Sequence, residues 1–187
     1  MNPDDPLEVD IAANRAAAKW TPTEMVRRVL WELLRRPLFA WTPRPFWAWR
    51  RAVLRLFGAR VGREVHFHPT VRIAIPWNLR VDDYAAVGDF VILYSLGVIT
   101  IGKAATISQY AHLCAGSHDY RQRSLPLLKP PIRIGAGAWV CADAFVGPGV
   151  AVGDMAVVGA RAVAVRDVPE GAIVAGNPAR VVGRRAG

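Results

Sequence analysis

From Val61 to Val163 the chain repeats every six residues, and each of fourteen units opens with an aliphatic or aromatic residue. The units start at Val61, Phe67 and Ile73; Val81, Val87 and Leu93; Ile101, Ile107 and Leu113; then Ile134, Val140, Val146, Val152 and Val158. They fall in threes. Two extra residues, Leu79 and Arg80, separate the first and second threes, and Ile99 and Thr100 separate the second and third. Fifteen residues, Asp119 to Arg133, precede the next unit. If three units make one coil, every insertion leaves from the same corner, as a three-sided parallel β-helix with surface loops requires. A β-sandwich would show turn clusters every eight to twelve residues and strands of varying length, not a constant period of six. The expected fold is therefore an all-β solenoid, a left-handed parallel β-helix of about five coils. The handedness rests on the association of six-residue repeats with left-handed coils, against the usual crossover rule. Inward positions stack aliphatic side chains, and Gly, Ala and Asp at the corners permit tight turns.

At 187 residues the chain can build one domain with a sound core. Its net charge of +9 draws it to anions: a phosphate-bearing cosubstrate, an anionic membrane or nucleic acid. No aromatic or glycine motif of an RNA-binding module accompanies the charge, so no nucleic-acid partner is expected. Cys114 and Cys141 fall on different coils and faces, which argues against a disulfide and for a reducing compartment. The acidic start, MNPDDPLEVD, is no secretory signal, and no stretch reaches membrane-spanning length without charges. The expected location is cytoplasmic.

Three regions follow: a mobile tail over 1–19, a basic helical segment over 20–58, and the β-helix over 59–183 with a loop inserted at 119–133. In the second region Thr21, Pro22 and Glu24 form a capping-box start with Pro at the first helical position. Met25, Val26, Val29, Leu30 and Leu33 make one apolar stripe, opposed by Arg27, Arg28, Arg35 and Arg36, until Pro37 ends the helix. A second helix is expected from about Pro45 to Phe57, stopped by Gly58. These helices would cap the open end of the solenoid. So many Arg beside Trp also suit peripheral contact with an anionic membrane.

Four histidines, 66, 68, 112 and 118, are available for chemistry. His118 ends the third coil at the mouth of the long insertion, and a loop of that length in a compact domain is usually functional. There it could act as a general base towards a hydroxyl. His66 and His68 are expected to be structural or solvated. No metal site is expected, because zinc needs three convergent ligands and this spacing does not bring three together. Ala142 and Ala160, eighteen apart, stack in one column above Gln109 and Asp89 and leave backbone N–H groups open along a groove. His118 lies at a different corner, so a site using both needs two chains.

The motifs LCAGSHDY, GPGV, VGARAVAVRDVP and AGNPARVVG, with WRRAVLRLFGARVG, PWNL and ISQYAHL upstream, resemble the hexapeptide-repeat acyltransferases. Within that family they are similar to the acetyltransferases attributed to colanic acid biosynthesis in exopolysaccharide clusters. The resemblance covers most of the chain. It implies an acetyl-CoA-dependent O-acetyltransferase, a homotrimer with active sites between neighbouring subunits, and a saccharide acceptor, free or lipid-linked. His118, in GSHD, is the implied base. Trp139 would stand near the thiol end of acetyl-CoA, the Ala142 amide would face the thioester oxygen, and the Ala160 amide would bind the pantetheine arm. Arg166, where the family usually has Lys, would meet the phosphates or adenine together with Arg180, and Val165 replaces a usual Thr. Asp119 is a candidate to orient the imidazole. Other readings of the same fold are a scaffold without chemistry, an antibiotic-type acetyltransferase and a zinc hydratase.

Overall fold

The computed structural model describes residues 9–185. Its body is the expected three-sided parallel β-solenoid. Strands of the first face are Arg60–Val61, Leu79–Val81, Ile99–Ile101, Ile132–Ile134 and Ala151–Val152, hydrogen-bonded in that order. The second face runs from His66–Phe67 through Ala86–Val87, Thr106–Ile107, Trp139–Val140 and Val157–Val158 to Ala172–Ala175. The third comprises Arg72–Ile73, Ile92–Tyr94, His112–Cys114, Phe145–Val146 and Val163–Ala164. Residues opening the six-residue units point inward and form continuous columns, such as Phe67, Val87, Ile107, Val140 and Val158, all completely buried.

All three insertions leave from the corner between the third and first faces. The two-residue insertions lengthen the first-face strands and supply each with one more inward side chain: Leu79 and Ile99, with Ile132 in the same column, are 0% exposed. There are about six turns rather than five. Val168 bridges to Val152 and Ala172–Ala175 pairs with Val157–Val158, so a further coil follows Ala164. Val168 comes four residues after Ala164, and that slip of phase hides the last coil from a search for sixes.

The corners are less glycine-rich than expected. Glu64, Tyr84, Ala104 and Met155 at one corner, and Phe90, Tyr110, Asp143 and Arg161 at the next, have φ between 50° and 63°. A side chain at such a φ costs roughly 1–2 kcal/mol. What offsets it is a bond between coils. Most of these N–H groups donate to the carbonyl preceding the corresponding residue in the coil below, as in Tyr84 to Arg63, Ala104 to Asp83, Tyr110 to Asp89 and Arg161 to Ala142 at 2.9–3.0 Å, while that of Phe90 donates to Thr70 Oγ1 at 3.0 Å.

The tail expected over 1–19 falls partly outside the described residues, and what is described is anchored. Helix α1 (Ile11–Ala16) is capped by Asp10, whose N–H donates to the Arg123 carbonyl in the long insertion. Helix α2 (Pro22–Arg35) starts with the full capping box between Thr21 and Glu24. The α-helix ends at Arg35, but a π-helical turn, Arg36–Ala40, carries the chain through Pro37. Helix α3 (Trp47–Leu56) ends before Gly58, whose φ of 88° turns the chain into the first strand.

Val53 and Leu54 of α3, with Trp31 and Phe39, join the solenoid core and close its end. Trp31 is 1% exposed, and its Nε1 donates to the Ile73 carbonyl at 2.8 Å. The stripe Met25, Val26, Val29, Leu30 and Leu33 does not cap the solenoid: it faces away, 46–68% exposed. Trp31 lies on the opposite side of α2 and fixes the orientation.

Arg50 is the polar centre of this cap. It is 0% exposed and stacks on Trp47, 4.7 Å from the ring centroid. Nε donates to the Phe67 carbonyl at 2.7 Å, Nη1 to Thr42 Oγ1 at 2.7 Å and to the Pro43 carbonyl at 2.9 Å, and Nη2 to the Arg44 carbonyl. Burial pulls its pKa down from the usual arginine range, yet a guanidinium stays charged in proteins. Carbonyl dipoles thus take the place of a counter-ion. Arg50→Ala should strip donors from these buried acceptors and cost on the order of 3 kcal/mol. A lower urea midpoint with an unchanged slope would report that loss.

Candidate active site

The corner between the third and first faces is built tightly where it meets the insertion. Ser95 Oγ donates to the Ile75 carbonyl and accepts from the Ile75 N–H, both at 2.9 Å. Asn78 Nδ2 donates to the Ser95 and Leu96 carbonyls at 3.0 and 2.8 Å, so this side chain is tied to the coil above it. Gly97 is required here, because a Cβ would collide with the Lys129 and Pro130 carbonyls of the returning insertion.

The insertion is an ordered hairpin. Ser117–His118 pairs antiparallel with Leu127–Leu128, and His118 lies opposite Leu127. His118 is exposed, and its Nδ1 lies 2.6 Å from the Leu125 carbonyl oxygen. A carbonyl can only accept, so Nδ1 carries a proton, and in the neutral ring the lone pair falls on Nε2. The orienting group is therefore Leu125, not Asp119. The Asp119 carboxylate instead accepts from the Arg121 N–H and guanidinium and from Gln122 Nε2, which hold its pKa down at about 2.

Leu125 has a φ of 44° and is itself held from outside the insertion. Asn14 Nδ2 of α1 donates to the Ser124 carbonyl at 2.6 Å and to the Leu125 carbonyl at 2.8 Å. Lys19 Nζ donates to Asn14 Oδ1 at 2.7 Å. Lys129 Nζ donates to the Lys19 carbonyl at 3.0 Å and lies 3.7 Å from the Trp20 ring centroid. Sequence reasoning missed Asn14 and Leu125. Leu125 acts through its backbone, and Asn14 lies 111 residues away in a segment without periodicity.

The second candidate group stands at the corner between the second and third faces. The register Trp139 to Val157 and Trp139 to Thr106 puts Ala142, Ala160 and Gln109 in one column. The Asp143 N–H bonds the Gln109 carbonyl and the Arg161 N–H the Ala142 carbonyl. The N–H groups of Ala142 and Ala160 make no backbone bond among the described residues. They form the open donor row that the spacing predicts. Trp139, 46% exposed, donates from Nε1 to Ser108 Oγ at 2.8 Å, which fixes the plane of its ring beside the row. Arg180 follows Ala179, whose N–H bonds the Val163 carbonyl at the top of this corner.

Val165 and Arg166 are not with them. The pairing of Val146 with Ala164 and with Leu113 puts Val165 above Gly147 and Cys114, at the corner His118 occupies. The third face, with His112 and Phe145 on its outer side, separates the two groups. Burial pushes the His112 pKa down, and its ring lies edge-on to Phe145 at 5.3 Å, a packed histidine rather than a reactive one. His66 is structural as expected, stacked on Trp47 at 4.7 Å, and His68 Nδ1 lies 3.0 Å from an Asp89 oxygen. Both cysteines are free, and burial raises the Cys141 pKa.

No protein-family model matches the chain. Over 136 residues it is 47% identical to WcaF of Escherichia coli K12, which its name assigns provisionally to colanic acid biosynthesis as an acetyltransferase. That match covers 73% of this chain and 75% of the relative. The chain belongs to the hexapeptide-repeat acetyltransferases. Among solved structures, a hexapeptide-repeat-containing acetyltransferase of Vibrio cholerae superposes with a TM-score of 0.80 at 24% identity, over 92% of this chain and 96% of that one. The same protein has been solved with acetyl coenzyme A, and that complex superposes with a TM-score of 0.79 at 22% identity, over 91% and 93% of the two chains. The protein is accordingly an acetyltransferase, whose acceptor the likeness of fold leaves open.

Two outcomes test this geometry. Asn14→Ala should speed hydrogen exchange at the amides of Asp119, Gln122 and Leu125, which bond within the insertion, and leave inter-coil amides such as Ile92 unchanged. Asp119 gives a pH signature. Its folded pKa of about 2 lies below the ordinary ~3.9, so its bonds contribute fully above about pH 4 and are lost as pH falls through about 2. The Arg121 side-chain NMR signals should follow that titration, and Asp119→Asn should abolish it.

Proposed function

We propose that the protein is an acetyl-CoA-dependent O-acetyltransferase that modifies a sugar hydroxyl in exopolysaccharide assembly, as a homotrimer with each active site between neighbouring subunits. The observation that carries the reading is the His118 tautomer. Its Nδ1–H is engaged by the Leu125 carbonyl, so that in the neutral ring Nε2, at an exposed corner, is the nitrogen able to accept a proton. The open amides of Ala142 and Ala160 supply the other half of the chemistry, and within one chain they stand at another corner. A rotational assembly that sets one subunit's His118 edge against its neighbour's Ala142 edge unites them.

In this reading Trp139 covers the thiol end of acetyl-CoA, the Ala160 amide accepts the pantetheine arm, and Val165 of the neighbouring subunit, on its His118 edge, lies along it. Arg166 of that neighbour and Arg180, both exposed, meet the phosphates or adenine. His118 Nε2 takes the proton of the acceptor hydroxyl as that oxygen bonds to the acetyl carbon. The Ala142 N–H donates to the oxyanion, a contribution worth roughly 3 kcal/mol for one such donor. The C–S bond then breaks, and the imidazolium returns its proton to the departing thiolate. The Leu125 carbonyl stabilises the imidazolium between the two transfers, as a carboxylate does in other histidine bases. Asn14, which fixes that carbonyl, positions the base. The acceptor is a free or lipid-linked saccharide, and the enzyme works on the cytoplasmic side, where acetyl-CoA is available.

His118→Ala should leave folding and CoA binding intact while acetyl transfer falls by about 10²–10⁴-fold. Thiol release from acetyl-CoA, measured across a panel of exopolysaccharide repeat units and simple sugars, reads both the loss and the acceptor. Near-normal turnover in the variant would refute the assignment of the base.

A further inference from the structure

Helix α2 packs with its polar side inward. At 100° per residue, Met25, Val26, Val29, Leu30, Leu33 and Leu34 occupy one half of its circumference. All six are exposed, from 38% at Leu34 to 68% at Leu33. The half turned to the body carries Glu24, Arg27, Arg28, Trp31 and Arg35, of which Trp31 alone is buried in the core. A surface helix ordinarily buries its apolar face and wets its polar one. Here the contact through Trp31 reverses that, and leaves an apolar strip with a hollow of about 360 Å³ along one edge, lined by Trp20, Met25, Arg28, Val29, Glu32 and Leu33. A contiguous apolar surface of this kind marks an interaction site.

Charge decides the occupant. The segment from Trp20 to Gly58 holds eight arginines against two glutamates, a net +6 of the chain's +9. Arg27 borders the strip on the side of Leu34, is exposed, stacks on Trp77 at 4.2 Å and makes no salt bridge among the described residues, its nearest acid influence being Glu24 one turn away. Arg36 lies exposed at its C-terminal end and pairs with no carboxylate among the described residues. Trp41, 75% exposed, follows the π-turn. A second copy of the strip would meet it with like charges. A surface that is apolar within and negative at its boundary meets both features, and that is an anionic bilayer. Fourteen residues make a helix of about 21 Å, too short to span the bilayer, and no described helix is long and apolar enough to cross one.

We infer that the outward face of α2 seats the protein in the plane of an anionic membrane, with Met25, Val29, Leu30 and Leu33 in the acyl boundary and Arg27 and Arg36 at the headgroups. The docking stands on this surface alone and is separate from the catalytic reading. One consequence links them. Trp20, at the start of the strip, contacts Lys129 of the insertion that carries His118, so docking holds that insertion close to the lipid surface.

The test is flotation of the full chain with vesicles of phosphatidylcholine alone and of an equal mixture with phosphatidylglycerol, for wild type and for Leu30→Asp/Leu33→Asp. Both positions are exposed, so the variant should keep its thermal midpoint and its CoA binding. Wild type should float with the mixed vesicles, less so in high salt, and the variant should partition at least about tenfold more weakly. Failure of wild type to bind the mixed vesicles, or equal binding by the variant, overturns the inference. So does a smaller sedimenting mass for the variant without lipid, which would assign the face to contact between copies. Acetyl transfer to a soluble acceptor, unchanged in the variant, keeps this outcome distinct from any failure of the base.

Discussion

Register between coils is held at the corners, and every other feature of the molecule depends on it. Two-residue strands contribute too few ladder bonds to fix their own alignment. The left-handed corner residue settles the matter, because its conformation aims its N–H down the stack at the carbonyl of the coil below, as in Tyr84 to Arg63 or Arg161 to Ala142. A residue inserted within a face would break that bond and turn an inward Val or Ile out to water. Extra residues are therefore confined to the corner between the third and first faces, where left-handed side chains do not stack. The long insertion, and with it His118, stands at that corner because the other two corners are committed to register.

The same corners prepare the donor row. The Arg161 N–H takes the Ala142 carbonyl, but nothing in the stack needs the Ala142 N–H, nor that of Ala160 above it. The bond that aligns the coils leaves one amide per coil at this corner without a backbone acceptor among the described residues, at the spacing of the coils, so a row of unused donors comes with the fold. What this chain adds is a choice of side chains. Alanine at both positions keeps the row uncovered, and Ser108 holds the Trp139 ring at its side. A residue as large as Gln109 in the same column would shade the donors.

The periodic part of this architecture is legible in the sequence, and the aperiodic part is not. Fourteen unit starts give the faces, the columns and the corner of the insertions, because inward aliphatic positions recur whatever the local turn. The last coil escapes because Val168 arrives four residues after Ala164. The stripe on α2 is legible as a stripe, but amphipathicity does not say which side docks. Trp31, placed opposite by the helical period and bonded to Ile73, decides that against the hydrophobic side. In the candidate site, His118 is legible from its place beside the insertion. Its partner is a backbone carbonyl, which has no sequence signature, and Asn14 reaches that carbonyl from a short helix whose docking no pattern announces.

A rigid solenoid carries one further constraint on chemistry. His118 with Val165 and Arg166 occupies one edge of the third face, while Ala142, Ala160 and Arg180 occupy the other, and the strands between them cannot bend to close the gap. In the proposed reaction the His118 ring and the Ala142 N–H must come within reach of one carbonyl carbon. A hinge would serve other folds, but here it would have to break the corner bonds that hold the coils in register. Rotational symmetry, as proposed, would achieve the same end without motion, since it would place one edge of each copy against the other edge of the next. The separation that makes the single chain look incomplete is thus what a head-to-tail ring of identical solenoids would use, and the number of sites would equal the number of chains.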